Sequence, residues 1–311
     1  LYQITGAYSL VILTNKKLIG VRDPYGIRPL VLGDKDGSPV LASETCALDM
    51  IGAKYIRDVE NGEIVIITEN GIESVKPFKK LKERPCIFER IYFASPDSIV
   101  GGKTVYTYRK SLGEQLSIEN NISADVVVPI PDSGVSAAIG FSQKSNIPFE
   151  LGIIRSHYVG RTFIEPSQTI RQFGVKLKHS VNRSCIENKR VILIDDSIVR
   201  GTTASKIVKM VYEAGAKEVH LGISCPPIKH PDFYGIDTPN YNELIASHAN
   251  IEEMTKLVGA KSLFFLSLEG TYKAMGCEER NTMNPQFTDH CFTGEYPVDV
   301  SEILKLNSKN G

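Results

Sequence analysis

The sequence predicts a mixed α/β protein in which a parallel sheet with flanking helices follows a region of antiparallel sheet. Three observations carry that expectation. Residues 191–194 are four apolar residues in a row, three of them β-branched, which reads as a strand buried on both faces; Ala204, Ile207, Val208, Val211 and Tyr212 then recur at one-face helical spacing. Residues 125–131 repeat the scheme, a strand followed by the loop Pro131-Asp132-Ser133-Gly134 and a helix carrying Val135, Ala138, Ile139 and Phe141. Residues 6–75 instead alternate short apolar runs with turn chemistry.

Taken in order, residues 7–13, 18–22, 29–32, 40–42 and 64–68 are expected as strands, punctuated by Asn15-Lys16, Asp23-Pro24, Asp36-Gly37, Asn61-Gly62 and Asn70-Gly71. A short helix is expected over 44–51, with Cys46 as a core thiol among Ala47, Leu48 and Met50. Residues 76–84 are charged and end at Pro85, which marks a boundary, so the chain divides into 1–85, 86–275 and a C-terminal tail, 276–311. Residues 105–118 read as a helix with Arg109 and Lys110 facing outward. Residues 155–183 have no sustained periodicity and set six Lys/Arg (Arg155, Arg161, Arg171, Lys176, Lys178, Arg183) against the single acid Glu165. That is either a solvated basic loop or a lid over a polyanion. Strands at 218–225 and 263–268 and helices at 242–248 and 251–258 follow, and the chain turns irregular from Cys277.

Composition narrows the function. The 36 Lys+Arg of this 311-residue chain balance its 36 Asp+Glu, so nothing general draws it to nucleic acid or a membrane surface. No apolar run approaches a membrane span and no signal segment opens the chain, which makes a cytoplasmic setting the expectation. Six cysteines without a CxxC pair argue against both a zinc site and a disulfide framework. The chain begins at Leu1 in the middle of a β-rich pattern, so a longer parent polypeptide or a truncated product is expected.

The chemistry concentrates after the strand at 191–194. Asp195-Asp196 arrive where it should end, and Ser197, Arg200, Gly201, Thr202 and Thr203 form a loop leading into the helix, with Thr202 or Thr203 as its cap and Gly215 as its stop. Ligands of open α/β sheets bind at that edge. Amides at the helix start favour a phosphate, whereas two carboxylates accept hydrogen bonds from adjacent sugar hydroxyls or help hold magnesium. A sugar phosphate satisfies both ends of the loop. An Asp-Asp turn that merely caps a helix is the competing reading, and a Walker loop is excluded at residues 195–203 because that stretch holds no Gly-Lys-Ser/Thr. The loop at 131–134 is a second anion site of the same design or an ordinary βα turn.

Residues 191–203 resemble the phosphoribosyl pyrophosphate (PRPP) signature of type I phosphoribosyltransferases, and Asp195-Asp196-Ser197-Ile198-Val199-Arg200-Gly201-Thr202-Thr203 resembles the amidophosphoribosyltransferase family. The resemblance implies a type I phosphoribosyltransferase-like sheet and transfer of the phosphoribosyl group of PRPP to ammonia, with Mg2+ as cofactor and 5-phosphoribosylamine and pyrophosphate as products, at the start of purine synthesis. It implies that Asp195 and Asp196 hold the ribose hydroxyls, that Ser197, Arg200, Gly201, Thr202 and Thr203 cradle the 5′-phosphate, and that Asp132, Ser133 and Gly134 serve the pyrophosphate, with Ser133, Asp195 and Asp196 near the metal. Residues 157–164 resemble the family's flexible loop, so Tyr158 and Arg161, with Arg155, are expected over the substrate; Arg161, Asp195 and Asp196 are the expected catalytic residues.

Residues 20–30 and 42–44 are similar to the glutaminase domain of N-terminal-nucleophile amidotransferases, an αββα fold of which residues 1–85 would be the C-terminal part. That family's nucleophile is a cysteine at the first position, where the free α-amino group serves as base; Leu1 stands first here, so no glutaminase residue is assigned. Some amidophosphoribosyltransferases carry an iron–sulfur cluster on four cysteines. Cys86 stands at one of those positions, but Asp232, Pro285 and Thr288 occupy the others, so no cluster is expected. The implied partners are PRPP, glutamine or ammonia, purine nucleotides as feedback ligands and further copies of the chain. A PRPP-sensing regulator without catalysis is the competing class, and a base-salvage phosphoribosyltransferase, which would leave the β-rich region unexplained, ranks below it.

Overall fold

Short strands with period-two alternation build the first part of the chain. They are β1 (Ser9–Leu13), β2 (Leu18–Arg22), β3 (Val31–Lys35), β4 (Ser38–Ala42), β5 (Lys54–Asp58), β6 (Ile64–Thr68) and β7 (Gly71–Val75). Two antiparallel sheets result, in the orders β1-β2-β6-β7 and β4-β3-β5. Leu30 and Leu32 point one way and join Val59, Val65 and Ile67, with Leu18 and Leu41 against them, in a core between the sheets. Val31 points the other way, onto Leu48 of helix α1 (Thr45–Met50) and onto Ala53. The layers are therefore sheet, sheet, helix. Cys46 departs from expectation: it is half-buried, not core, and its Sγ lies 3.9 Å from the Glu44 carboxylate. Strands β5 and β7 had no signal in the sequence because nearly all their residues are exposed, so neither shows alternation.

The structure, a computed structural model, describes residues 1–156, 179–238 and 240–304. Contacts divide the chain into two units, one of Leu1–Tyr106, Lys229–Leu244 and Glu279–Gly311, the other of Thr107–Ile228 and Ile245–Glu278. A hairpin of β8 (Ile99–Val100) and β9 (Lys103–Thr104) leads into helix α2 (Val105–Glu119).

The second unit is built on β10 (Val126–Pro129), β13 (Arg190–Asp195), β14 (Glu218–Ile223) and β15 (Ser262–Phe265), all parallel and in that order. Val126–Val128 and Val191–Ile194 are buried at every position, as a strand covered on both faces requires. Each such side chain contributes roughly 1.5–3 kcal/mol relative to exposure. Between β10 and β13 lie α3 (Val135–Ser145), the antiparallel pair β11 (Ile153–Arg155) and β12 (His179–Val181), and α4 (Arg183–Ile186). Helix α5 (Thr202–Glu213) follows β13 and buries Ala204, Ile207, Val208 and Val211 of the stripe read from the sequence, while Tyr212, expected on the same face, is 36 % exposed. Short helices α6 (Ile245–His248), α7 (Ile251–Val258) and α8 (Leu268–Ala274) complete the unit. The segment after Cys277 is largely irregular, as expected, yet Thr288, Asp289 and His290 are buried where it forms α9 (His290–Thr293). All six cysteines are free thiols, and no helix among the described residues is long and apolar enough to cross a membrane.

Candidate active site

Two loops meet at the carboxyl edge of β10 and β13. The Ile130 N–H donates to the carbonyl of Ile194 at 2.9 Å, and Gly134 passes so close that a Cβ there would stand 2.1 Å from the same oxygen. Glycine is the residue that permits this approach. The Pro131–Asp132 peptide in this loop is cis. With the loops pressed together, the Ser133 hydroxyl donates to Asp195 Oδ1 at 3.1 Å, and the Asp196 N–H donates to that oxygen at 2.9 Å. Ser197 Oγ donates to Asp196 Oδ1 at 2.5 Å, and the Ser224 N–H ties the Asp195 carbonyl to the next strand at 2.9 Å.

The loop then turns through Gly201, whose φ of +75° is a left-handed conformation that favours glycine. Expected capping by Thr202 or Thr203 is not what forms: Gly201 is the N-cap without a side-chain bond, and both threonines are the exposed first residues of α5. Their hydroxyls and the first amides of the helix, which no helix pairs internally, are thus presented outward. Helix α6 supports the turn from behind, its Ile245 N–H donating to the Val199 carbonyl at 2.9 Å. Arg200 is exposed beside it.

Arg155 is placed differently from expectation. It ends strand β11, registered with His179 of β12, and its NH1 pairs with the Asp132 carboxylate, so it is tied to the 131–134 loop as part of a hairpin. Tyr158 and Arg161, with the rest of the expected lid, lie outside the described residues.

Arg109 is the functional residue that the sequence reading misplaced. Val105, Tyr108, Arg109, Leu112 and Leu116 form the buried stripe of α2, and Arg109 is only 5 % exposed. A cation on such a stripe must be compensated. Its charge acts on Asp196, itself 4 % exposed. The signal was present in the i, i+3, i+4, i+7, i+11 spacing, which puts Arg109 among the apolar residues.

Burial pushes the carboxyls of both Asp195 and Asp196 above their ordinary range; the neighbouring charge of Asp196 adds to the rise at Asp195, which the Ser133 hydrogen bond offsets, while the Ser197 hydrogen bond and the charge of Arg109 offset it at Asp196. The pair is thus short of positive charge and of donors. Its folded-state values lie above the unfolded ones, so the folded chain holds protons that the unfolded chain has lost, and the pair's contribution to stability falls as pH rises from about 4 through the raised values. A ligand that prefers the doubly ionised pair displaces those protons. Chemical denaturation at a series of pH values upward from about 4 is expected to show a smaller pH dependence in an Asp196→Asn variant than in the parent.

Replacing Arg109 with Met strands Asp196 without its compensating charge. Loss of about 3 kcal/mol of stability is expected, the scale for breaking one partner of a buried pair, and chemical denaturation measures it. Arg109→Lys should recover part of the loss. Cys225 is also buried close by, but burial and then the two acids push its thiol well up, which leaves it unreactive.

Comparison with known proteins fits this geometry. The family model for the phosphoribosyl transferase domain matches residues 110–234, which include both loops. An amidophosphoribosyltransferase of Rhizobium etli is 59% identical over 315 residues, covering 99% of this chain and 62% of that protein. The chloroplastic amidophosphoribosyltransferase 1 of Arabidopsis thaliana is 51% identical, over 97% of this chain and 52% of that protein. The chain belongs to the amidophosphoribosyltransferase family. Among solved structures, the glutamine PRPP amidotransferase of Bacillus subtilis complexed with ADP and GMP superposes with a TM-score of 0.88 at 48% identity, over 95% of this chain and 65% of that one. The chain therefore spans between about half and two thirds of the length of these family members.

Proposed function

We propose that this chain carries the PRPP-binding and phosphoribosyl-transfer part of an amidophosphoribosyltransferase, forming 5-phosphoribosylamine and pyrophosphate from PRPP and ammonia. The observation that carries the reading is the charge-deficient Asp195–Asp196 pair in the loop before α5, with Asp196 buried and Asp195 half-buried and bonded by Ser133 from the neighbouring loop. In this reading the two acids accept from the ribose hydroxyls, and Ser197, Arg200, Gly201, Thr202 and Thr203 hold the 5′-phosphate at the helix start. Asp132, Ser133 and Gly134 face the pyrophosphate, with Arg155 against them and Tyr158 and Arg161 closing over the substrate. No protein nucleophile is required, because positioning and electrostatics carry phosphoribosyl transfer.

The donor set suits magnesium. Two carboxylates and a hydroxyl are hard oxygen ligands, and among the described residues no group of three or more His, Cys, Asp or Glu could hold a metal ion by itself. That is the pattern for an ion shared between one or two carboxylates and substrate phosphates. When bound, Mg2+ neutralises charge on the departing pyrophosphate.

The reading extends to residues 86–275 as the phosphoribosyltransferase domain, 1–85 as part of a glutaminase domain and 276–311 as a tail, with glutamine as the ammonia source in a longer parent chain. It also includes a cytoplasmic setting, assembly with further copies of the chain, and purine nucleotides as feedback ligands. The last is supported by the ADP and GMP of the Bacillus structure. The test is release of pyrophosphate from PRPP in the presence of Mg2+ and ammonium. Turnover that requires ammonium supports transfer; binding heat without turnover would favour a PRPP sensor, and no heat at all would defeat the reading.

A further inference from the structure

In the first unit, the side chains of Asp232 and His290, each 1 % exposed, stand 2.8 Å apart although 58 positions separate them in the chain. Both carboxylate oxygens of Asp232 accept hydrogen bonds. Oδ2 accepts from His290 Nε2, and Oδ1 accepts from the amides of Tyr234 at 2.7 Å and Ile236 at 2.9 Å, which closes the 232–236 turn. The rings of Tyr234 and Tyr296 pack on the imidazole, each with its centroid 4.9 Å away. A third remote segment joins these two: the Ile87 N–H donates to the Thr288 carbonyl at 3.1 Å, the Thr288 N–H to the Pro85 carbonyl at 2.9 Å and the Thr288 hydroxyl to the Arg84 carbonyl at 2.6 Å. Cys86 and Thr288 are bridge partners.

This is where the family resemblance points to four cluster cysteines, and the residues do not fit such a group. Pro285 offers no ligand atom, the Thr288 hydroxyl is spent on a carbonyl, and both oxygens of Asp232 are spent. Burial, and then the charge of Asp232, pushes the Cys86 thiol up to about 12, so it stays protonated. A cluster needs thiolates.

We infer that the Asp232–His290 pair is a metal-free clasp that joins residues 84–88, 232–236 and 285–293 of the first unit into one cooperative piece. The chain returns to this unit twice, at Lys229–Leu244 and again from Glu279, and the clasp links those two returns to each other. The worth of such a buried pair shows as coupling: removing one partner leaves the facing polar atom of the other without its hydrogen bond, whereas removing both does not. The unit then owes its integrity to side chains that neither oxygen nor a chelator attacks. The inference is independent of PRPP binding, because none of these residues belongs to the proposed substrate site.

The test uses the full chain carrying Asp232→Asn, His290→Gln, or both. Each single change is expected to lower Tm by roughly 10 °C, on the scale of breaking a buried pair in a domain of this size. The double variant should be no worse than the worse single one. Chelator should leave the parent's Tm unchanged, and anaerobically purified protein should contain no stoichiometric iron. Singles within measurement error of the parent, losses that add in the double variant, or iron whose removal lowers Tm would each overturn the clasp. Should a variant fail to fold, hydrogen exchange of the parent decides: the amides of Tyr234, Ile236 and Thr288 are expected to open together, and independent opening would refute the inference.

Discussion

Asp196→Asn is expected to lower pyrophosphate release by about 100-fold or more, the scale on which loss of one preorganised electrostatic contact reduces turnover, while leaving the chain folded. The amide keeps the shape of the carboxylate but loses its charge and replaces one acceptor with a donor. In the proposed site, that donor faces ribose hydroxyls and the region of the metal, both of which ask for acceptors. On stability two effects oppose each other. Neutralising Asp196 relieves the repulsion that pushes Asp195 upward, but it also removes the negative charge on which the buried Arg109 acts. The net change is expected to stay within about 2 kcal/mol of the parent, because the relief and the stranding are of the same order. Steady-state assays with ammonium, beside chemical denaturation, separate the two readouts. Turnover within threefold of the parent would remove Asp196 from the mechanism. A parallel Cys86→Ala change is expected to leave turnover largely intact, since that thiol is buried and protonated.

The same balance explains why the acids sit where they do. In the proposed reading the site takes a polyanion with its metal, and carboxylates held short of compensation then gain from what the ligand supplies. Arg109, Ser133 and Ser197 limit the deficit enough for the loop to remain ordered. Stability is yielded at this point for function, a familiar trade in active sites.

How far this was legible from sequence depended on whether a residue's role is set by its neighbours in the chain. Strand β13, its loop and the apolar stripe of α5 could be read directly, because four adjacent buried aliphatics and a 3.6-residue period are local facts. Arg109 was misassigned through a rule that sends charges outward; its spacing from Val105 and Leu112 placed it inward, but only the fold shows the acid, in the loop after β13, on which its charge acts. Arg155 looked like part of a basic loop because β11 and β12 are three residues long and too short to show a period. The Asp232–His290 pair had no sequence signal as a pair, since nothing within either segment announces a partner 58 positions away. The missing threonine cap has a local cause: Gly201, in its left-handed conformation, takes the N-cap place itself.

Gly134→Ala isolates the other half of the site. At φ −77° and ψ −9° the residue is in ordinary right-handed helical backbone, so alanine is conformationally acceptable there. By that criterion alone the substitution would stabilise the chain by about 0.4–1 kcal/mol through the unfolded state. The added methyl would, however, stand 2.1 Å from the Ile194 carbonyl oxygen and 3.0 Å from that of Ile130, both backbone atoms of the sheet edge. Neither can rotate away. The loop must withdraw by about 1 Å, which costs on the order of 3 kcal/mol as overpacking against a rigid neighbour. Withdrawal carries Ser133 away from Asp195 and loosens their 3.1 Å hydrogen bond. Misplacement on that scale lowers turnover by about 100-fold. The expected result is therefore a destabilised chain with weakened PRPP affinity and slow turnover, seen together in denaturation, calorimetry and pyrophosphate release. A Gly134→Ala chain as stable as the parent, with full PRPP affinity, would show that the two loops need not touch for the site to work.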